Sequence, residues 1–157
     1  ESHTALDLLV SLKKVLPKLR RIIPNVKLQI IGDINLIDKI LLTINKDVQC
    51  LGIKKNLDKY IRGSFCGLAN LEIATGVQGK ILTYMSYGLP VICSKKVAFN
   101  FNQNVLFYKN YHEIADKILI LNKNKKVSCQ MSKKSLSFVN KFKWEKISQD
   151  YLKIVRP

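Results

Sequence analysis

The sequence predicts an α/β domain built on a Rossmann-like, doubly wound parallel sheet, and three observations carry that prediction. Short, nearly continuous apolar runs such as LQII (28–31) and VICS (91–94) are what strands buried on both faces require. Between them lie longer stretches whose apolar residues recur every three or four positions, the spacing of covering helices. No Asn-Gly or Asp-Gly pair joins two strand-like runs, so no hairpin is signalled and the strands are expected to run parallel.

Taken in order, Leu6, Leu9, Val10, Val15, Leu16 and Leu19 predict an amphipathic helix over about 5–23, reset at Pro17. Pro24-Asn25 closes it, and VKLQIIG (26–32) reads as a strand ending at Gly32. NLIDKILLTI (35–44) is helical and VQCLG (48–52) a short strand. NLDKYI (56–61) is a short helix with Asn56 as its N-cap. SFCGLANL (64–71) reads as a buried strand, followed by a loop at Thr75 and a helix over QGKILTYMSY (78–87) stopped by Gly88. PVICS (90–94) and VLFY (105–108) are further strands. Asn110 with Glu113 forms a capping box for a helix through Leu121, and helices over about 127–138 and 144–155 close the chain. With neither internal repeat nor low-complexity segment, residues 1–157 form one domain.

Composition narrows the class. A hydrophobic content of 47% with 24% charged residues is that of a folded globule, and no apolar run reaches the length of a membrane span. Cys50, Cys66, Cys93 and Cys129 have no CxxC spacing and no histidine nearby, so they read as small core thiols of a reduced, cytoplasmic protein, not as disulfide or zinc ligands. The net charge of +16 suits anionic partners, yet its lysines are spread along the whole chain, as on a solvated surface. Two clusters, Lys18–Arg21 and Asn122–Lys126, are the candidates for peripheral contact with an anionic membrane at its inner face. Nucleic acid ranks last, because neither a recognition helix nor an aromatic platform accompanies the lysines.

Ligands of open α/β sheets bind beyond the carboxyl ends of the strands. Here those ends are Gly32-Asp33, Gly52-Ile53-Lys54, the loop Thr75–Lys80 and the stretch from Ser94 to Asn104. The Thr75 loop leads into a helix start, where free N–H groups and the helix dipole favour an anion. Gly76 and Gly79 permit close backbone approach, and Lys80 adds a cation that opposes the dipole unless an anion is bound. Neither GxGxxG nor GxxxxGK[ST] is present, so an anion cradle and a plain glycine turn with a solvated lysine both stay open on local grounds. Nucleophile elbows, HExxH and paired carboxylates are missing, and no metal site is expected. His3 and His112 read as surface residues, Glu72 as a cleft carboxylate or a partner for lysine, and Trp144 as a core anchor beside Ile147 and Leu152.

The stretch NLEIATGVQGKILTYMSYGLPVICS (70–94) resembles, without a gap, the signature of group 1 (family 4, retaining) glycosyltransferases of the GT-B fold, especially bacterial sugar transferases whose loop reads G-[IV]-Q-N-K. VLPKLRRIIPNVKLQIIGD, VQCLGIKKNLDKYIRGSFCGLANL and FVNKFKWEKISQDYLKI resemble the family's other segments in the right order. The resemblance implies the C-terminal, nucleotide-sugar-binding half of a GT-B enzyme, with no cofactor and no metal. It implies a donor base held by backbone groups at Ile53 and Lys54, and a diphosphate over Gly76, Val77, Gln78, Gly79 and Lys80. Thr83 matches the family's ribose-binding glutamate, and Thr75 a charged residue facing the donor sugar. A threonine offers one donor where a carboxylate accepts two hydroxyls, a loss of about 1.5–3 kcal/mol of donor binding.

Two functions follow. One is sugar transfer to a glycan or lipid-linked acceptor in cell-envelope or lipopolysaccharide assembly. The other is a degenerate, non-catalytic module with a basic membrane- or protein-docking surface. The acceptor domain is expected upstream of residue 1, so the 157-residue chain alone is expected to be catalytically inert.

Overall fold

The computed structural model describes residues 15–69 and 78–155. Its elements run α1 (15–20), β1 (Leu28–Ile31), α2 (Leu36–Thr43), β2 (Val48–Gly52), α3 (Asp58–Ile61), β3 (Gly67–Ala69) and α4 (Gly79–Ser86). Then follow β4 (Val91–Ser94), α5 (Lys95–Ala98), β5 (Leu106–Tyr108), α6 (His112–Lys123), α7 (Lys125–Val139) and α8 (Trp144–Val155). Short 3-10 turns lie at Asn102–Asn104 and Asn140–Phe142. All strand pairs are parallel, as the missing hairpin signals predict.

Among the described residues the strands of the expected parallel sheet pair as two sets, β2-β1 and β3-β4-β5. Leu28 and Gly32 donate their N–H groups to Asp47 (2.8 Å) and Gly52 (3.1 Å) on the β2 side. Alternation along a strand therefore turns the Gln29 and Ile31 groups away from β2. Helix α1 bridges the halves. Val15 and Leu19 pack with Ile92, Tyr108 and Leu121, while Leu16 packs with Leu42 and Val48.

Strand β4 is the centre of the larger half and is buried throughout. Its side chains alternate between layers. Ile92 enters the cluster with Ile114, Leu119 and Met131, whereas Val91 and Cys93 enter the one with Ile81, Met85, Val97 and Phe101. A strand covered on both faces favours apolar residues at successive positions, which is why Val91, Ile92 and Cys93 lack the in-out alternation of a half-exposed strand and the one polar residue, Ser94, comes at its end. Helix α7 wraps the edge, placing Val127 and Met131 in the first cluster and Phe138 and Val139 against the second. Ser135, fully buried on α7, donates to the Leu89 carbonyl at 2.9 Å.

Several local expectations are corrected. α3 begins after Leu57, and Asn56 accepts from the Asp58 N–H (2.7 Å) in an Asx turn instead of capping the helix. At α6 the Glu113 carboxylate collects the Lys109 N–H (3.0 Å) and the Asn110 amide (2.9 Å), so the box closes through glutamate alone. The prediction for the Gly88 stop holds: its φ of +70° admits the left-handed turn that ends α4, with Gly88 N–H bonded to the Met85 carbonyl. Cys93 is buried, and burial pushes its thiol up to about 12, but Cys129 is exposed on α7 and is no core residue. Ile147 and Leu152 of α8 are exposed, so the helix does not bring them into a core around Trp144, whose side chain lies outside the described part.

The two basic clusters differ. Lys18 pairs with Asp116, and Arg20 with Asp47 (Nε to Oδ2 2.6 Å), so the first cluster ties α1 to α6 and to the start of β2. Lys123, Lys125 and Lys126 are exposed.

Candidate functional site

Helix α4 starts where the glycine loop was expected to deliver it. Gln78 takes the extended N-cap conformation (φ −80°, ψ 110°) and provides no side-chain cap. Its carbonyl accepts from Ile81 (3.0 Å) and Leu82 (3.2 Å), and the amides of Gly79 and Lys80 have no intrahelical acceptor, as at every helix start. A Cβ added at Gly79 would meet nothing within 4 Å. Glycine at the first turn of a helix costs stability relative to alanine, and the surrounding side chains do not demand it. Lys80 is exposed on the same turn.

Thr83 lies one turn on, and its hydroxyl donates to the Gly79 carbonyl at 3.0 Å. Its single hydrogen is thereby used inside the helix, which leaves Thr83 only its lone pairs to offer a ligand. Thr75, Gly76 and Val77 lie outside the described residues, as do Glu72 and His3.

At the end of β2, Gly52 adopts φ +68° and turns the chain so that Ile53 projects 74% exposed. Lys54 sits over the Tyr60 ring (5.8 Å), which also carries Lys59 (5.1 Å). A network on α3 and α4 ties this strand end to the glycine helix. The Tyr87 hydroxyl donates to Asp58 Oδ1 (2.6 Å), Arg62 Nε donates to Oδ2 (2.8 Å), and the guanidinium stacks 5.4 Å from the Tyr87 ring. The Tyr87 and Arg62 hydrogen bonds hold the Asp58 carboxyl below the usual carboxylate range, and the Tyr87 phenol is raised in turn. Sequence reading missed Tyr60, Arg62 and Tyr87. The Asp58/Arg62 spacing of four was the available signal, whereas the partner on α4 is set only by folding.

The structure thus gathers Gln78, Gly79, Lys80 and Thr83 on one helix start and links α3, which follows Ile53 and Lys54, to the far end of that helix. A groove of about 790 Å³, lined by Lys95, Phe99 and Asn102 of the expected Ser94–Asn104 strand end together with Phe107 and Lys134, shares no residue with this set. Among the described residues no cluster of three His, Cys, Asp or Glu side chains could hold a metal, and no helix is long and apolar enough to cross a membrane.

A parallel α/β half-fold with a glycine-led helix start at its strand ends is a Rossmann-like ligand-binding architecture. The comparisons agree. Residues 4–124 match the family described as glycosyl transferases group 1, and the chain belongs to that family. No curated protein is significantly similar to it in sequence.

Among solved structures it is similar to Anabaena Alr3699/HepE in complex with UDP (15% identity, TM-score 0.72, 91% of this chain and 44% of that one). The UDP-glucose complex of HepE gives 14% identity, a TM-score of 0.69, and coverage of 82% and 40%. TarM gives 21% identity and a TM-score of 0.71, covering all of this chain and 33% of its own. These likenesses establish the GT-B half-fold. The chain spans less than half the length of each.

Proposed function

We propose that the chain is the donor-binding half of a glycosyltransferase that moves a sugar from a nucleotide-sugar to a glycan or lipid-linked acceptor of the cell envelope, working in the cytoplasm. The observation that carries the reading is the uncapped α4 start, with open space at Gly79 and Lys80 on the same turn, in a group 1 family member. The loop amides and Lys80 would take the charge that develops on the departing diphosphate, a task for preorganised donors that asks for no metal. Ile53 and Lys54 would hold the base. HepE, whose structures contain UDP and UDP-glucose, makes these two compounds the first probes.

Titration of the chain with UDP and UDP-glucose, followed by backbone amide shifts, is expected to perturb Gln78–Thr83 and Ile53–Lys54 first. Lys80→Ala should weaken UDP binding about tenfold or more, the worth of a charge-assisted hydrogen bond. No shift at Gln78–Lys80 with millimolar ligand would overturn the reading.

One observation favours a second reading, a degenerate module: the Thr83 hydroxyl is consumed by the Gly79 carbonyl. Thr83→Glu separates the two. A gain of about tenfold in nucleotide affinity, the low end of what a carboxylate–ribose bond provides, marks an eroded pocket. Unchanged affinity marks a pocket built differently.

A further inference from the structure

The groove that shares no residue with the α4 start is built from α5, the 3-10 turn Asn102–Asn104, β5 and α7. Two phenylalanines line it and stay open to solvent, Phe99 at 66% and Phe107 at 42% exposure. Between them in sequence, Phe101 is fully buried and packs against Phe138 of α7, with ring centroids 5.6 Å apart. That contact anchors the turn to α7. The Asn104 amide then donates to the Phe101 carbonyl at 2.8 Å, and Asn102 adopts φ +47°, a left-handed position that asparagine accepts more readily than most residues. The wall is therefore fixed, and its exposed rings belong to a preformed concavity.

Charge and hydrogen-bonding capacity select the ligand. Lys95 and Lys134 line the groove and are exposed. Lys134 Nζ donates to the Gln103 carbonyl at 3.4 Å, which bridges α7 to the turn and leaves two ammonium hydrogens for a ligand. None of α5, the turn, β5 and α7 contains an aspartate or glutamate, so the lysines meet no carboxylate from the elements that build the groove. Such a surface suits an anion. A second copy would set one +16 chain against another.

The remaining groups distinguish among anions. Asn102 and Gln103 each carry an amide that both donates and accepts, and a sugar hydroxyl uses both functions whereas a phosphate oxygen uses only donors. The electron-rich faces of Phe99 and Phe107 suit the C–H bonds of a pyranose ring. No arginine lines the groove, although a guanidinium is the favoured planar partner of nucleic-acid phosphates and bases. We propose that this groove binds a negatively charged sugar chain at a site separate from the donor site. The inference rests on the groove's own side chains and on membership of a sugar-transferring family, not on the α4 start, so the two readings fail independently.

The test is calorimetric titration of the chain with hexagalacturonate, maltohexaose, a linear hexaphosphate and a six-residue oligothymidylate. Hexagalacturonate binds most tightly, and maltohexaose, which has the sugar rings without the charge, binds at least about tenfold less. The double variant Phe99→Ser, Phe107→Ser loses about tenfold or more for hexagalacturonate, the combined worth of two ring contacts. It keeps its affinity for hexaphosphate within about twofold, since a phosphate chain offers no face to a ring. Lys95→Gln with Lys134→Gln, changed only at exposed side chains, loses about threefold or more for hexagalacturonate and decides the matter if the ring variant alters its circular dichroism spectrum. Millimolar UDP leaves hexagalacturonate binding unchanged. Absence of hexagalacturonate binding, full binding by both variants, displacement by UDP, or tighter binding of hexaphosphate or oligothymidylate would each overturn the proposal.

Discussion

Around β4 every strand residue is buried, and Phe101, Ile81, Met85, Ile92 and Val97 are fully enclosed; in β1 and β2 together only Val48 is buried, with Leu42 and Leu16 completing that core. Both halves use the same parallel strands and the same kind of intervening helix, so propensity does not explain the difference. Coverage does. β4 has a strand on each side and helices on both faces, whereas β1 has one strand partner and α2 sends most of its apolar side chains outward.

That contrast can be broken by deletion at matched buried sites. Phe101→Ala should cost about 3–5 kcal/mol, since the surrounding cluster is closed and collapses little. Leu42→Ala should fall near the lower end of its class, about 2–3 kcal/mol, because few neighbours surround the cavity it leaves. Denaturant midpoints at unchanged slope measure both, and equal costs would show that the smaller half is as tightly packed as the larger.

A finer probe is acid. The Arg20 hydrogen bond, helped by the charges of Arg20 and Lys27, holds the Asp47 carboxyl below the usual carboxylate range against a smaller opposing effect of desolvation. A depressed native pKa means the stabilisation is complete above the unfolded value of about 3.9 and is lost as pH falls through the native value. Thermal midpoints of the wild type and of Asp47→Asn should therefore differ at pH 7 and converge as the pH falls through the depressed native value. A gap that persists in acid would assign Asp47 a packing role instead.

How much of the site was legible follows the same physics. The α4 start was readable because glycine, lysine and a periodic apolar run are local signals, and Gly88 marked the stop for the same reason. Asn56 and Glu113 were read as caps of the usual form, and both groups do bond backbone N–H donors, but at neighbouring positions, since one residue of slippage changes a cap without changing its composition. Tyr87 reaching Asp58 across 29 positions left no periodic trace.

By itself, the sequence determined that the chain is α/β with parallel strands, that its glycine-led helix sits at a strand end, and that it resembles group 1 glycosyltransferases. Strand burial, helix period and turn chemistry are written in neighbouring residues. Only the tertiary structure decided that the described strands pair as two sets, that Arg20 and Lys18 are engaged within the fold, and that most apolar residues of α2 look outward. An apolar face at helical spacing has the same sequence whether it meets a core or solvent, and only the placement of the rest of the chain distinguishes the two.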